Sequence, residues 1–130
     1  MNRRDYQRIL INTEGVFIVQ NKEISPREFL GTIEDISESG IKIVTNKADS
    51  ASTISQLESG DALFFQSVDS FDLLGTETDT VFSGTATITR IEDHPDSFHI
   101  GCKFKKPNND LEKYVSNRKL SLFIDSLKSN

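Results

Sequence analysis

The chain has no Trp, one Met, one Cys and three Pro among its 130 residues. A lone thiol, Cys102, cannot close an internal disulfide, so folding needs no oxidising compartment. No apolar run approaches the ~20 residues of a membrane-spanning helix. The opening Met-Asn-Arg-Arg-Asp lacks the apolar stretch of a signal peptide. A cytoplasmic protein without membrane insertion is therefore expected. Basic side chains are also in deficit: 15 Lys and Arg stand against 20 Asp and Glu, a formal charge of −5. A nucleic-acid polymer is not an expected partner, because binding one requires a basic face that displaces counterions from phosphates. A polybasic membrane-surface protein is excluded on the same ground.

Enzyme signatures are missing as well. There is no Gly-rich phosphate loop ahead of a helix, no Gly-x-Ser-x-Gly elbow and no acid–base or nucleophile arrangement, so no enzyme is expected. His94 falls in a turn and His99 on the outer face of a strand, with Cys102 on the opposite face. No metal site is expected from that set, and Cys102 reads as a small core hydrophobe. The acids of residues 69–79 lack the ligand spacing of a calcium loop. Residues 69–80 read as a longer acidic insertion with a solvated edge.

What is present fits one domain over residues 1–130, with 35% hydrophobic residues, 27% charged residues and nine Phe for a core. Strands are expected over 14–20, 27–34, 41–45, 62–68, 81–91 and 98–104, from β-branched and aromatic runs and period-two alternation. Ile41, Ile43 and Thr45 share one face, as do Phe82, Gly84, Ala86 and Ile88, and Phe98, Ile100, Cys102 and Phe104. Residues 47–53 read as a polar loop. The period then lengthens. Leu111, Tyr114, Val115 and Leu122, widened by Leu120, Phe123, Ile124 and Leu127, predict an amphipathic helix. The expected architecture is mainly β: a small antiparallel β-barrel with a C-terminal helix.

Charge is distributed unevenly. Residues 48–89 hold seven acids and no Lys or Arg, whereas Arg3, Arg4 and Arg8 crowd the first eight residues against Asp5 alone. That points to a local anion site rather than a basic surface. A guanidinium fork matches phosphate oxygens and the O6/N7 edge of guanine. In the turn after the second strand, Asp35-x-Ser37-x-x-Gly40 offers a carboxylate for guanine N–H groups, a hydroxyl, and a glycine that permits an unusual turn or close approach. The chemistry suits a guanine nucleotide with exposed phosphates, held without catalysis.

Arg4-x-x-x-Arg8 followed by Asp35-x-Ser37-x-x-Gly40 resembles the cyclic di-GMP-binding signature of the PilZ domain family, and the likeness covers essentially the whole chain. The resemblance implies a six-stranded antiparallel PilZ-type β-barrel over 13–106, a flexible arginine arm over 1–12 and a C-terminal helix over 108–127. It implies a bacterial second-messenger receptor in which Arg4 and Arg8 contact phosphates and guanine edges. Asp35 and Ser37 would meet a guanine, and Gly40 would shape the turn. Arg3, just before the first motif arginine, implies two cyclic di-GMP molecules per chain. Binding would order the arm and signal to a protein effector not identified by the sequence. No other cofactor is implied. The alternative reading is a ligand-independent PilZ-like interaction adaptor. An oligonucleotide-binding barrel fits poorly with the acidic middle of the chain.

Overall fold

The computed structural model describes residues 8–22, 24–106 and 109–128. Six strands run β1 (Ile9–Gln20), β2 (Arg27–Ile36), β3 (Gly40–Asn46), β4 (Ala62–Leu73), β5 (Thr76–Asp93) and β6 (Ser97–Phe104). All pair antiparallel, and the sheet closes in the order β1-β2-β3-β6-β5-β4. Helix α1 (Lys47–Ile54) joins β3 to β4, and helix α2 (Asn109–Lys128) follows β6. This is the mainly-β architecture expected from the sequence.

Alternation builds the interior. In β1, Ile9, Ile11, Thr13, Gly15, Phe17 and Val19 point inward while their neighbours face out. Phe17 stacks on Phe29 at 5.3 Å, and Phe65 lies between Phe17, Phe82 and Phe104 at 6.0–6.5 Å. Each fully buried ring or aliphatic side chain of this size contributes about 1.5–3 kcal/mol through apolar area removed from water. Ile41, Ile43, Ile88 and Ile100 are fully buried around them, as their shared faces predict.

Four local features differ from the sequence reading. The barrel starts at Ile9, inside the expected 1–12 arm. Asn12 sits at φ 52° in a bulge where the β1–β2 register shifts between Leu10 and Thr13. A bulge adds an unpaired residue and bends the strand, yet the inward–outward alternation runs unbroken across it. Residues 47–54 are helical rather than loop. Ser50 Oγ donates to Asn46 O at 2.8 Å, and the Lys47 amide donates to Asp96 O at 3.0 Å. Only Ser50, Thr53 and Ile54 are buried, too few apolar positions to show a helical period.

The acidic 69–80 segment is ordered as strand rather than loop, with Asp72, Glu77 and Asp79 exposed as expected and Asp69 alone of its acids buried. It is the outer half of the β4–β5 hairpin, paired continuously from Asp69–Thr80 to Leu73–Thr76. Its two-residue turn, Leu74-Gly75, has positive φ at both positions (54° and 85°), matching a type I′ connection. Helix α2 packs on this hairpin. Its buried line runs Leu111, Tyr114, Val115 and Ser121, whereas Leu122, Leu120, Phe123 and Leu127 are exposed. The line continues through polar groups because the surface beneath it is polar. Tyr114 Oη donates to the buried Asp69 carboxylate at 2.6 Å, and Ser121 Oγ donates to Asp72 O at 2.8 Å. Arg118 Nε lies 2.9 Å from the same Asp69 oxygen, an ion pair by distance whose N–H is not aimed at it. Its guanidinium also covers the Phe71 ring at 4.9 Å.

Candidate ligand-binding site

Two bulged strand ends create the site. β2 shifts register against β3 between Ile33 and Asp35, close to where β1 shifts against β2. Bulges re-aim side chains and increase local twist. Arg8, immediately before β1, and Asp35, near the end of β2, then meet across the β1–β2 pair. Arg8 Nη1 donates to Asp35 Oδ1 at 2.5 Å. The Arg8 side chain is 52% exposed and that of Asp35 15%. The arginine can therefore leave the pair for an incoming anion, while the carboxylate stays fixed on the sheet. Arg3 and Arg4 lie outside the described residues.

The remaining motif residues form the β2–β3 turn. The Ser37 amide donates to Gly40 O at 3.0 Å, closing it. Ser37 is fully buried, and its Oγ accepts the Ser39 amide at 3.1 Å, with Ser39 Oγ also at 3.1 Å. In this state the hydroxyl holds the turn and faces no open surface. Gly40 owes its identity to a close approach of backbones rather than to a left-handed φ. A Cβ there would fall 2.2 Å from the Cys102 carbonyl oxygen of β6. Any side chain at residue 40 would force β3 and β6 apart and displace the turn.

Three lysines missed by motif reasoning lie beside this turn. A cleft of about 540 Å³ is lined by Ser39, Lys103, Lys105 and Lys106, together with Glu38 and Glu112. The Phe104 amide donates to Ser39 O at 2.9 Å, fixing the end of β6 against the turn. The outward position of Lys103 was visible in the alternation of β6, with Lys105 just past its end, but nothing local linked either to Asp35. A second cleft, lined by Glu14 and Asp49 among uncharged residues, offers acids and no cation. The clefts along Val16 and Phe64 carry no basic residue either. Of the clefts described, only the one beside the motif turn has the cations an anionic ligand requires.

Cys102 is buried on the inner face of β6, and burial pushes its thiol up to about 12. It has neither the exposure nor the thiolate character of a nucleophile.

A sequence profile described as PilZ domain matches residues 2–117. No curated protein sequence matches the chain. Among solved structures, the PilZ domain of YcgR from Escherichia coli, determined with c-di-GMP, superposes with a TM-score of 0.62 at 16% identity, covering 98% of this chain and 97% of that one. The Bacillus subtilis inhibitor of motility MotI (DgrA) gives 0.60 at 20% identity, over 92% of this chain and 53% of that one. MrkH of K. pneumonia, in its c-di-GMP complex, gives 0.61 at 15% identity, over 100% and 57%. The chain thus spans nearly all of the YcgR domain but only about half of MotI and MrkH. At these identities the likeness is one of fold.

Proposed function

Because the chain belongs to the PilZ domain family, we propose that it is a receptor for cyclic di-GMP, bound where the first eight residues meet the β2–β3 turn. The observation that carries this reading is the Arg8–Asp35 contact at 2.5 Å, which joins the two signature motifs across 27 positions of sequence. Arg4 and Arg8 take phosphate oxygens and guanine edges, Asp35 takes guanine N–H groups, and Gly40 keeps the turn against β6. Ser37 holds the turn in the described state. A guanine reaches its hydroxyl only if the Ser37–Ser39 contact opens. Lys103, Lys105 and Lys106 add positive charge along the adjoining cleft. Arg3 supports two ligands per chain.

Ligand binding brings the Arg3, Arg4 and Arg8 segment down onto the barrel. The cost of ordering it is drawn from the interaction energy, and the surface so formed signals to a protein effector. Isothermal titration with cyclic di-GMP tests the site. Arg4→Ala and Arg8→Ala should each abolish measurable heat while leaving the circular dichroism spectrum unchanged. Unchanged affinity in both variants would reject these residues as the site. No binding by the wild type would favour the ligand-independent adaptor. Limited proteolysis reports on the arm: cleavage within residues 1–8 should slow on adding ligand, and equal rates would reject arm ordering. Effector signalling requires that capture of a protein partner differ with and without cyclic di-GMP.

A further inference from the structure

The end of the β5–β6 hairpin carries donors that nucleotide binding leaves unused. Glu92 and His99 are direct cross-strand partners, and His94 stands in the short connection between Asp93 and Ser97. One ligand atom from each of Glu92, His94 and His99 lies within 4.8 Å of the others. His94 Nε2 is 3.3 Å from Glu92 Oε1, and the two imidazole rings face each other with centroids 3.9 Å apart. That 3.3 Å separation is close to the edge of a tetrahedron built on bonds of ~2.0–2.1 Å. We propose that Glu92, His94 and His99 form a three-ligand site for a zinc-class divalent cation, one per chain, with water completing the coordination.

The donor set selects the metal. Two imidazoles and a carboxylate suit zinc and its transition-metal neighbours, whereas magnesium and calcium prefer all-oxygen shells. The surroundings orient the ligands. Arg90 Nε holds Glu92 Oε2 at 2.8 Å, leaving Oε1 towards His94. Such outer contacts fix first-ligand geometry in metal sites. The His94 amide donates to Ser97 O at 3.0 Å, and Pro95 fixes its own φ inside the same turn, so His94 rides on a rigid connection. Glu92 and His94 side chains are 42% and 43% exposed, which leaves an entry path. Lys47, the nearby ammonium on α1, is engaged by Asp93 rather than by this cluster. Cys102 lies on the opposite face of β6 and is buried, so it takes no part. The cluster sits on β5 and β6, whereas the Arg8–Asp35 pair bridges β1 and β2. The proposal therefore stands independently of the nucleotide reading.

The test uses the whole chain without an affinity tag. Zinc chloride titrated calorimetrically should saturate at one ion per chain, and cobalt chloride should give visible absorption of a low-coordinate site. His94→Gln and His99→Gln, partly exposed changes that should leave the fold intact, should each weaken zinc binding at least tenfold. Glu92→Gln should weaken it in the same direction, and Arg8→Ala should leave it unchanged. In the wild type, the ring proton signals of both histidines should move on adding zinc. Absence of saturable one-to-one uptake by the wild type would overturn the proposal. Affinity within threefold of wild type in both histidine variants would overturn it too, because the ion would then be bound elsewhere.

Discussion

Arg8 illustrates how little stability a contact proposed for ligand binding need carry. Its ion pair with Asp35 is half exposed on the arginine side, and such surface pairs contribute about 0–1 kcal/mol. Replacing it with alanine should therefore leave the fold almost untouched while removing a charged fork from the site. Cys102 is the opposite case, a side chain whose environment suppresses chemistry. Its thiol is raised from 9.0 to about 12 by burial. The folded thiol keeps its proton where the unfolded one loses it. The stability tied to Cys102 is thus intact below pH 9.0, the unshifted thiol value, and declines as pH climbs from there towards 12. Two outcomes are expected. Dithionitrobenzoate at pH 8 should leave the native protein unmodified and react with one thiol once the chain is unfolded. The loss of stability above pH 9 should be shallower in Cys102→Ala than in the wild type. Rapid reaction of the native thiol would contradict the burial argument.

Helix α2 shows what an apolar period can and cannot reveal. Tyr114 stacks on Phe82 at 4.1 Å, meets Phe71 edge-on, and donates to the Asp69 carboxylate. Burial and the Asp69 contact both hold the phenol in its protonated, donating form, well above its usual pKa. Tyr114→Phe keeps the stacking and removes only the donor to a buried charge, so it should cost about 1.5–3 kcal/mol in urea denaturation. A cost below about 0.5 kcal/mol would mean that Arg118 alone satisfies Asp69. The alternating strands β3, β5 and β6 were legible in sequence because every second residue tells the same story. So was the N-terminal half of α2, where Leu111, Tyr114 and Val115 are truly buried. Its C-terminal half was not, since Arg118 and Ser121 face the acidic hairpin and Leu120, Phe123 and Leu127 do not. Four of the missed features share one cause. The Asn12 bulge, the Asp69–Tyr114 bond, the lysine cleft and the Glu92–His94–His99 cluster all depend on which strands lie side by side. Helix α1 was missed for want of apolar residues. Arg8 and Asp35 could be paired in advance only because a family pattern names them together.

At the scale of the whole molecule, binding and folding are one equilibrium. A ligand that binds only the native state stabilises it by RT ln(1 + [L]/Kd), about 2.7 kcal/mol at one hundred times Kd. Above saturation, each tenfold increase in a single ligand adds about 1.4 kcal/mol. Two ligands held together on one chain make the dependence second power, so each decade should add about 2.7 kcal/mol instead. This separates the stoichiometries without counting sites. The net charge of −5 adds a constraint, because the second dianion must join an acidic protein already carrying the first. On the proposed reading Arg3, the third arginine of the first eight residues, supplies the local charge that offsets this repulsion. Unfolding free energy measured against the logarithm of cyclic di-GMP concentration should therefore rise in the wild type with the steeper slope. Arg3→Leu should fall to the single-ligand slope, and Arg8→Ala should show no dependence. GMP at equal concentration should give none in any of them, since it lacks the second guanine and the bridging phosphates that the two motifs would grip together. A wild-type slope of about 1.4 kcal/mol per decade would leave one ligand per chain, and a slope equal to that of Arg3→Leu at either value would remove the role assigned to Arg3.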